Sequence, residues 1–279
     1  MKQFSKRFPT AFVTGGSSGL GRVLVEGLLS EGVEVWAGSR DAERVKQTGL
    51  AVRPAELDLG DPDAVDRFLA NPPWEKKPVL LINNAGYGQF GELCSVSAMD
   101  LERQVTAMLT SAMKLCRLFL STSGDSAPAP AVVNVSSLAV EFPLPYLHGY
   151  NAVKAGLSGF SRSLEIEFPG GENRPFVLDL RPGDFRTGFN EAVLDSGKEN
   201  HLSAVWAALD HHLQNGSDPS SLWPVVRKAL LNERSKTVRA GTLFQARVAP
   251  LLGRMFPESW VAHFQKRYYG IRATDGDKV

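Results

Sequence analysis

A glycine-rich turn near the amino terminus constrains the fold of this chain more than any other segment. The turn has the sequence Thr14-Gly15-Gly16-Ser17-Ser18-Gly19-Leu20-Gly21, with a short apolar run before it and helical spacing of apolar residues after it. Glycines permit a tight turn and let backbone amides approach an anion, which the amino terminus of a following helix also favours. This order of elements predicts a dinucleotide-binding unit, and a flexible turn is the alternative.

Short apolar runs and helical patterns alternate through most of the chain. Runs of strand length, mostly β-branched, occur at residues 12–13, 33–37, 79–82, 131–135 and 176–180, with a later one near 237–239. Helical patterns cover residues 100–120 and 151–168, and Asp61-Pro62 is a typical helix start. The alternation predicts an α/β fold, a Rossmann-type doubly wound parallel sheet flanked by helices.

One domain is expected over residues 1–279, since no internal repeat or linker interrupts the pattern. Residues 8–190 are expected to form the cofactor-binding and catalytic core. The small, polar residues 121–130 predict a surface loop. The alternation weakens after residue 188, so residues 188–279 are expected to form a mainly helical segment that covers the substrate site.

Composition excludes several classes of protein. The net charge of +1 over 279 residues gives no electrostatic reason to expect a nucleic-acid partner. Cys94 and Cys116 are too few for a disulfide framework or a structural zinc site, and no metal site is expected. No secretory leader or transmembrane run is evident, so a cytoplasmic protein is expected.

The end of the second apolar run bears on the choice of cofactor. NAD-binding folds often place a carboxylate there for the ribose 2′-hydroxyl, but this chain has Ser39 and Arg40. A hydroxyl and a guanidinium suit a 2′-phosphate, so NADP(H) is favoured over NAD(H). The alternative is that Arg40 is an ordinary surface residue.

Tyr150 and Lys154 are a candidate catalytic pair. They are four residues apart in a predicted helix, so their side chains share one face. A neighbouring ammonium stabilises a phenolate and so lowers a tyrosine pKa towards the range of a general acid and base. Taken alone, such a pair is more often plain helix surface.

Several motifs in a fixed order resemble the short-chain dehydrogenase/reductase family across residues 8–190. They are Thr14-Gly15-x-x-x-Gly19-x-Gly21, Asp58-Leu59, Asn83-Asn84-Ala85-Gly86, Ser136-Ser137, Tyr150-x-x-x-Lys154, and Pro182-Gly183 followed by Thr187. The phrasing around residues 84–88 and 182–187 is most similar to the branch with 17β-hydroxysteroid and retinol dehydrogenases.

The resemblance implies roles for individual residues. Ser137 would orient a carbonyl, Tyr150 would act as the general acid and base, and Lys154 would also hold the nicotinamide ribose. The implied cofactor-binding residues are Thr14, Gly15, Ser17, Ser18, Gly19, Leu20, Gly21, Ser39, Arg40, Asp58, Leu59, Asn84, Ala85, Gly86, Tyr150, Lys154, Pro182, Gly183 and Thr187. Family members commonly form homodimers or homotetramers, so a homo-oligomer is expected.

One departure from the family pattern concerns its usual fourth catalytic residue, an asparagine. No asparagine occurs between Asn84 and Asn134, and Met108 falls at the corresponding place. A thioether is a weak acceptor for the water that the asparagine ordinarily holds. Gln104, Thr106 or Ser111 are the residues nearby that could substitute for it.

Other candidate residues have simpler interpretations. His148 could touch substrate or lie on the surface. The adjacent His211 and His212 face different ways on a helix and predict no metal site. Trp260, Val261, Phe264 and Tyr268 repeat at helical spacing, which is more typical of core. A lid, or contact with a membrane surface assisted by Lys266 and Arg267, is the alternative.

The sequence therefore predicts an NADP(H)-dependent oxidoreductase that interconverts a ketone or aldehyde with an alcohol on a fairly apolar small molecule. The rivals are a cofactor-binding regulator or scaffold, which Met108 favours, and a biosynthetic reductase, dehydratase or isomerase of the same family.

Overall fold

The computed structural model describes residues 3–121, 128–195 and 201–271. Most of the predicted loop at 121–130 lies outside these residues. The strands are β1 (Thr10–Thr14), β2 (Glu34–Ser39), β3 (Arg53–Glu56), β4 (Leu80–Asn83), β5 (Gln89–Phe90), β6 (Ala131–Val135), β7 (Phe176–Pro182), β8 (Leu194–Asp195) and β9 (Lys236–Ala240).

The helices lie between the strands and follow the last of them. They are α1 (Gln3–Arg7), α2 (Gly19–Ser30), α3 (Ala42–Lys46), α4 (Pro62–Ala70), α5 (Ala98–Val105), α6 (Ser111–Leu120), α7 (His148–Glu167), α8 (Ser203–Gln214), α9 (Leu222–Leu230), α10 (Ala249–Met255) and α11 (Glu258–Tyr268). A π-helical turn, Thr106–Thr110, joins α5 to α6, and another, Phe244–Val248, precedes α10. Asp61 caps α4 by accepting a hydrogen bond from the Asp63 amide.

Seven strands form one parallel sheet in the order β3-β2-β1-β4-β6-β7-β9. The order reverses between β1 and β4, so their carboxyl ends flank the crevice where doubly wound sheets bind ligands. The predicted α/β fold is confirmed, including the late strand. β3 was missed because an edge strand of sequence Arg-Pro-Ala-Glu buries only Ala55 and carries no apolar run.

Alternate residues of each strand supply two hydrophobic layers, as the two-residue period of a strand requires. On β1, Ala11 and Val13 pack in the layer under α2 and α9, while Phe12 packs in the opposite layer under α4, α6 and α7. That opposite layer is rich in aromatic rings, with Trp74 at 5.1 Å from Phe12 between ring centroids. Burial on both faces explains why the inner strands are mostly apolar, in contrast to the edge strands β3 and β9.

The carboxyl edge of the sheet has its own hydrophobic cluster. It surrounds Tyr150 with residues from β5 to α8, including Phe90, Met108 and Leu147, and with Tyr269. β5 and β8 pair here in a separate two-stranded parallel sheet, with Gln89 opposite Leu194. This pair ties the segment after β4 to the segment after β7.

Residues 188–271 have two structural roles. β9 and α9 complete the core sheet and its helical layer. α8, α10 and α11 supply residues to the wall of a cavity at the carboxyl edge. Among the described residues, none of the helices combines the length and the apolar character needed to cross a bilayer.

The contact between α2 and α9 generates the first prediction. A Cβ on Gly27 would lie 2.2 Å from Cδ2 of the Trp223 indole, which also packs edge-on against the Phe4 ring at 5.6 Å. We expect Gly27→Ala to lower the free energy of unfolding by about 1–3 kcal/mol, because an overpacked core must shift. Urea denaturation measures the change.

Gly159→Ala is the matched control. Gly159 lies in α7 and is exposed, and a Cβ there meets nothing within 4 Å. Alanine should therefore stabilise this helix by about 0.5–1 kcal/mol. Equal effects of the two substitutions would contradict the close α2–α9 contact.

Candidate active site

A cavity of about 1760 Å³ lies along the carboxyl ends of the strands. It brings together Thr14, Gly15, Ser17, Ser18, Gly19, Leu20, Ser39, Arg40, Asp58, Leu59, Asn84, Ala85, Gly86, Ser137, Tyr150, Lys154, Pro182, Gly183 and Thr187. Gly21 is the one predicted site residue that is not part of the lining. A Cβ on Gly21 would lie 2.1 Å from the Gly15 carbonyl oxygen, so this glycine serves the packing of α2 on the turn.

The glycine turn fits a dinucleotide pyrophosphate. Gly15 and Gly19 have φ of +65° and +51°, which favour glycine. Ser18 gives α2 no side-chain cap, so the first amides of the helix face the cavity without one. Thr187 lies across the turn, its Cβ 4.0 Å from a Cβ built on Gly19. Backbone amides and a helix amino terminus are the donors that phosphate oxygens need.

The side chains of Thr14 and Asn84 hold the crevice together. The Thr14 hydroxyl oxygen accepts hydrogen bonds from the amides of Asn84 at 3.0 Å and Ala85 at 3.1 Å. The Asn84 amide nitrogen donates to the carbonyl oxygens of Thr14 at 3.1 Å and Gly15 at 3.2 Å. These two residues therefore shape the site by tying the end of β1 to the end of β4.

The far end of the cavity lies beside β2. The Ser39 hydroxyl accepts a hydrogen bond from the Asp41 amide at 3.3 Å. Asp58 accepts from the Gly60 amide at 2.9 Å and lies 3.4 Å from the Arg103 guanidinium. Arg40 is exposed and forms no ion pair with any described residue. A guanidinium at the mouth of the cavity is therefore positioned to meet an anionic group of a ligand.

Ser137, Tyr150 and Lys154 converge at the middle of the cavity. The Ser137 hydroxyl hydrogen-bonds Tyr150 and also accepts from the Ala139 amide at 3.0 Å. The Lys154 ammonium donates to the Val135 carbonyl oxygen at 2.7 Å and lies 5.6 Å from the centroid of the Tyr150 ring. The predicted one-face arrangement on α7 is thus present, with Ser137 meeting it from the end of β6.

Burial sets the pKa values of this group. It raises the pKa of Tyr150 above its ordinary value; the Ser137 hydrogen bond partly offsets the rise and the Asp184 carboxylate adds to it. This direction is opposite to the one expected from the Tyr150–Lys154 pair, because desolvation of the buried phenol is the largest effect on its pKa. Burial also lowers the pKa of Lys154 to about 8, although Asp179 opposes that change.

Met108 lies in the π-helical turn, at the place expected from the family pattern. Its methyl carbon would be 3.1 Å from a Cβ on Gly86, and Lys154 Nζ would be 3.4 Å from the same point. Its sulfur lies 3.5 Å from the Tyr87 amide. Of the suggested substitutes, Ser111 donates to the Leu59 carbonyl at 2.8 Å and is committed there.

Gln104 is fully buried behind the site, and neither it nor Thr106 or Ser111 lines the cavity. Its amide nitrogen donates to the Tyr87 carbonyl at 3.0 Å, while its amide oxygen has no partner among the described residues. A Cβ on Gly149 would lie 2.1 Å from that oxygen. Gln104 therefore joins the loop after β4 to the first turn of α7. None of the three suggested substitutes reaches the cavity, where Met108 occupies the expected place.

A buried ion-pair network behind the site was missed by the sequence predictions. Asp179 accepts hydrogen bonds from Ser136 at 2.5 Å, Ser158 at 2.7 Å and Arg181 at 2.8 Å. Arg181 also donates to Glu141 at 2.6 Å. Ser136 precedes Ser137, and Ser158 lies one turn after Lys154, so the network supports both. Charged residues inside the apolar run 176–182 were the available signal.

The remaining sequence candidates have other environments. His148 is half-buried and does not line the cavity, and His212 stacks on Tyr268 with 4.0 Å between ring centroids. No group of three or more His, Cys, Asp or Glu residues that could hold a metal occurs in the part of the chain that is described. The prediction that the carboxyl-terminal stripe packs in the core was wrong, because Trp260, Phe264 and Tyr268 are each more than half exposed.

The end of the cavity away from the glycine turn is largely apolar. Its walls come from the loop before α7, the segment after β7, α8 and the carboxyl-terminal helices, with Phe142, Leu144, Leu147, Phe189, Val193, Trp206, Leu209, Leu213, Phe244, Leu252 and Phe256 among them. Phe189 contacts Tyr150 edge-on at 5.6 Å. The Asp184 carboxylate also lies here and accepts a hydrogen bond from Gln245 at 2.5 Å.

The buried ammonium generates a prediction for stability. The folded protein releases the Lys154 proton near pH 8, whereas the unfolded chain holds it to about 10.5. Stability therefore rises with pH across this window, and below pH 8 the folded state carries the full cost of the buried charge. We expect Lys154→Met to raise the free energy of unfolding by up to about 3 kcal/mol relative to wild type below that pH. This difference should disappear towards pH 10.5.

Urea unfolding of both proteins across this pH range measures the difference. Loss of the hydrogen bond to Val135 changes the difference in unfolding free energy by a constant amount and leaves the pH dependence of that difference intact. Lys76→Met, at an exposed position, is the control and should show no such dependence. A difference between Lys154→Met and wild type that stays flat from pH 8 to 10.5 would refute the buried-charge interpretation.

Comparison with known proteins agrees with this arrangement. A curated relative, a 3-ketodihydrosphingosine reductase of Bacteroides thetaiotaomicron, is 25% identical and aligns over 93% of this chain and 97% of its own. A short-chain dehydrogenase/reductase of Burkholderia phymatum in complex with NAD is 21% identical, with a TM-score of 0.74 over 96% of this chain and 97% of its own.

A third protein, a short-chain dehydrogenase of Sphingobium yanoikuyae in complex with NADPH, is also 21% identical. Its TM-score is 0.64, with 96% of this chain and 99% of its own covered. At this level of identity, the two solved structures support the fold alone. The family model described as short chain dehydrogenase matches residues 9–196. With the fold, the glycine turn and the Ser137–Tyr150–Lys154 group in place, the chain belongs to the short-chain dehydrogenase/reductase family of oxidoreductases.

Proposed function

We propose that this protein is an NADP(H)-dependent oxidoreductase that interconverts a ketone or aldehyde with an alcohol on a fairly apolar small molecule. One observation carries the proposal. A single cavity has a phosphate-type turn at one end, Ser137, Tyr150 and Lys154 in the middle, and apolar walls at the other end. A carbonyl carbon can therefore lie between the hydride-exchanging part of a nicotinamide and the Tyr150 hydroxyl.

The bound nicotinamide supplies the hydride in reduction and accepts it in oxidation. In reduction, the Ser137 hydroxyl orients the carbonyl oxygen by hydrogen bonding. The Tyr150 hydroxyl donates its proton to the alkoxide that forms, and the Lys154 ammonium stabilises the resulting phenolate. Oxidation uses the same groups in reverse, with the Tyr150 phenolate removing the proton of the alcohol.

The choice of NADP(H) rests on the far end of the cavity. Ser39 and Arg40 follow β2 where NAD-binding folds often have a carboxylate, and both line the cavity. Arg40 is exposed there, so its guanidinium can form a charge-assisted hydrogen bond with a 2′-phosphate. The compared structures hold NAD in one case and NADPH in the other, so the preference is argued from these residues.

The substrate class rests on the apolar walls around Phe189 and Trp206. Such walls favour a hydrophobic molecule that carries a single polar reacting group. The name of the Bacteroides relative describes a reductase of a keto compound, which supports carbonyl reduction. The finer resemblance to 17β-hydroxysteroid and retinol dehydrogenases remains a prediction.

A cofactor-binding regulator is the second candidate function. Met108 favours it, because this thioether lies near Gly86 and Lys154 and stands at the sequence position where the family usually has an asparagine. A protein of this kind would bind NADPH and fail to consume it with any carbonyl compound.

Tyr150→Phe separates these functions. We expect the substitution to lower NADPH consumption with carbonyl substrates by at least about 10²-fold, because the proton donor is lost, and to leave NADPH binding unchanged. The measurements are absorbance of NADPH with a panel of steroid, retinal, quinone and short aliphatic carbonyls, and cofactor titration by fluorescence.

Tyr146→Phe is the matched control. Tyr146 precedes α7 and does not line the cavity, so turnover should persist. Full turnover by Tyr150→Phe would sink the proposed role of this hydroxyl. Tight binding of NADPH by wild type with no consumption across the panel would favour the regulator.

Arg40→Ala tests the cofactor preference. We expect its affinity for NADPH to fall about tenfold to a hundredfold, as loss of a charge-assisted hydrogen bond does, while its affinity for NADH changes little. Arg67→Ala, which removes an exposed guanidinium outside the cavity, should alter neither affinity. Equal losses for both cofactors would remove the argument for a 2′-phosphate site.

A further inference from the structure

Exposed apolar side chains are concentrated in one part of the molecule. Of the eighteen large hydrophobic residues that are exposed in the described chain, ten lie between Leu243 and Tyr268. This set, which spans the second π-helical turn, α10 and α11, is here called the carboxyl-terminal apolar surface. An exposed apolar surface of this kind on a water-soluble fold marks a binding site or an aggregation hazard.

The exposed side chains form continuous stripes along the two helices. Leu251 and Met255 are four residues apart on α10, and Trp260, Phe264 and Tyr268 follow at intervals of four on α11. Residues at this spacing share one helix face. Phe256 stacks on Trp260 with ring centroids 6.1 Å apart, so the stripe of one helix continues into the next.

The same surface surrounds an opening of the cavity. Phe256, Phe264 and Tyr268 are exposed to solvent and also line the cavity that contains Tyr150. The surface is therefore continuous with the cavity that contains the reacting groups.

Charge distinguishes among the partners that such a surface could have. Residues 243–271 contain four basic side chains, Arg247, Arg254, Lys266 and Arg267, and one acidic side chain, Glu258. Their net charge is +3, whereas the whole chain carries +1. The exposed apolar side chains therefore lie in a segment of net positive charge.

We propose that the carboxyl-terminal apolar surface docks on an anionic lipid bilayer and that the cavity takes its substrate from that bilayer. Aromatic side chains such as Trp260 and Tyr268 suit the interface between headgroups and acyl chains, and basic side chains are attracted to anionic headgroups. The docking stands on the exposed surface and its charge. The delivery of substrate rests also on the proposed oxidoreductase function.

A second copy of the chain fits this surface less well. In a two-fold symmetric dimer, the surface would meet itself and bring two patches of like charge together. An anionic bilayer offers the opposite charge and an apolar interior. The charge therefore favours the bilayer over self-association.

Flotation with vesicles tests the docking independently of catalysis. Wild type is expected to float with vesicles of phosphatidylcholine and phosphatidylserine, to bind phosphatidylcholine alone at least about tenfold more weakly, and to be released from the anionic vesicles by salt. Absence of binding to anionic vesicles, or equal binding to both compositions, overturns the proposal.

A double substitution at exposed positions away from the cavity identifies the surface. Leu251 and Met255 are 62% and 72% exposed, and neither lines the cavity. We expect Leu251→Ser with Met255→Ser to weaken binding to anionic vesicles at least about tenfold. The matched control is Met99→Ser with Ile166→Ser, at positions 74% and 85% exposed on other helices, and it should bind as wild type does.

Removal of charge gives a second readout. Arg247→Gln with Lys266→Gln should weaken binding to anionic vesicles about tenfold to thirtyfold and leave the weak binding to neutral vesicles unchanged. Equal losses of vesicle binding in the Leu251/Met255 variant and the Met99/Ile166 variant would overturn the assignment of the surface. The proposal would also be overturned if wild type sedimented as a dimer and failed to float, and if Leu251→Ser with Met255→Ser converted the dimer to a monomer. The surface would then be an interface between two copies of the chain.

Turnover separates docking from the proposed catalysis. With a water-soluble carbonyl and no vesicles, the Leu251→Ser, Met255→Ser protein should consume NADPH at the wild-type rate. With an apolar carbonyl dissolved in anionic vesicles, its rate should fall at least about tenfold. Equal rates of the two proteins in vesicles would overturn bilayer delivery, whereas loss of turnover in every arm, wild type included, would contradict the oxidoreductase proposal alone.

Discussion

The hydrogen bonds between Thr14 and Asn84 fix the two sides of the crevice on which the candidate site depends. The strand order reverses between β1 and β4, so the connections from their carboxyl ends lead to opposite faces of the sheet. The Thr14 hydroxyl oxygen accepts hydrogen bonds from two backbone amides that follow β4. In the other direction, the Asn84 carboxamide donates two hydrogen bonds to backbone carbonyl oxygens at the end of β1. The glycine turn and the loop of Gly86 therefore keep fixed positions on either side of the cavity.

A network of buried charged residues lies behind the site and supports Lys154. Lys154 is buried, and burial alone would favour its neutral form. Asp179 opposes that tendency while it also binds Ser136 and Ser158, one beside Ser137 and the other one turn beyond Lys154. Arg181 balances the carboxylate, and Glu141 in turn bonds Arg181 and Arg239. A buried charge at the site thus requires further buried charges, which link β7, β9 and α7.

The sequence was sufficient for features that depend on local pattern. Strand–helix alternation predicted the parallel sheet. The glycine turn, the Tyr150–Lys154 spacing and the family motifs predicted residues that line the cavity from the cofactor turn to the reacting groups. Features that depend on the tertiary environment of a residue could not be predicted from the sequence. β3 carries no apolar run, the exposure of Trp260 depends on what packs over α11, and the pKa direction of Tyr150 is set by burial. Asp179 and Arg181 were visible as charges in an apolar run, but their partners come from distant segments.

The pairing of β5 with β8 has a consequence for how the cavity is enclosed. It joins Gln89 to Leu194, residues far apart in the chain, through strands of only two residues each. A pair this short contributes little stability of its own and forms only after the main sheet has brought the two segments together. The wall beside Tyr150 therefore depends on the buried cluster around Phe90 and Val193 more than on strand pairing. Enclosure of a substrate is thus coupled to the packing of side chains that the main sheet brings together.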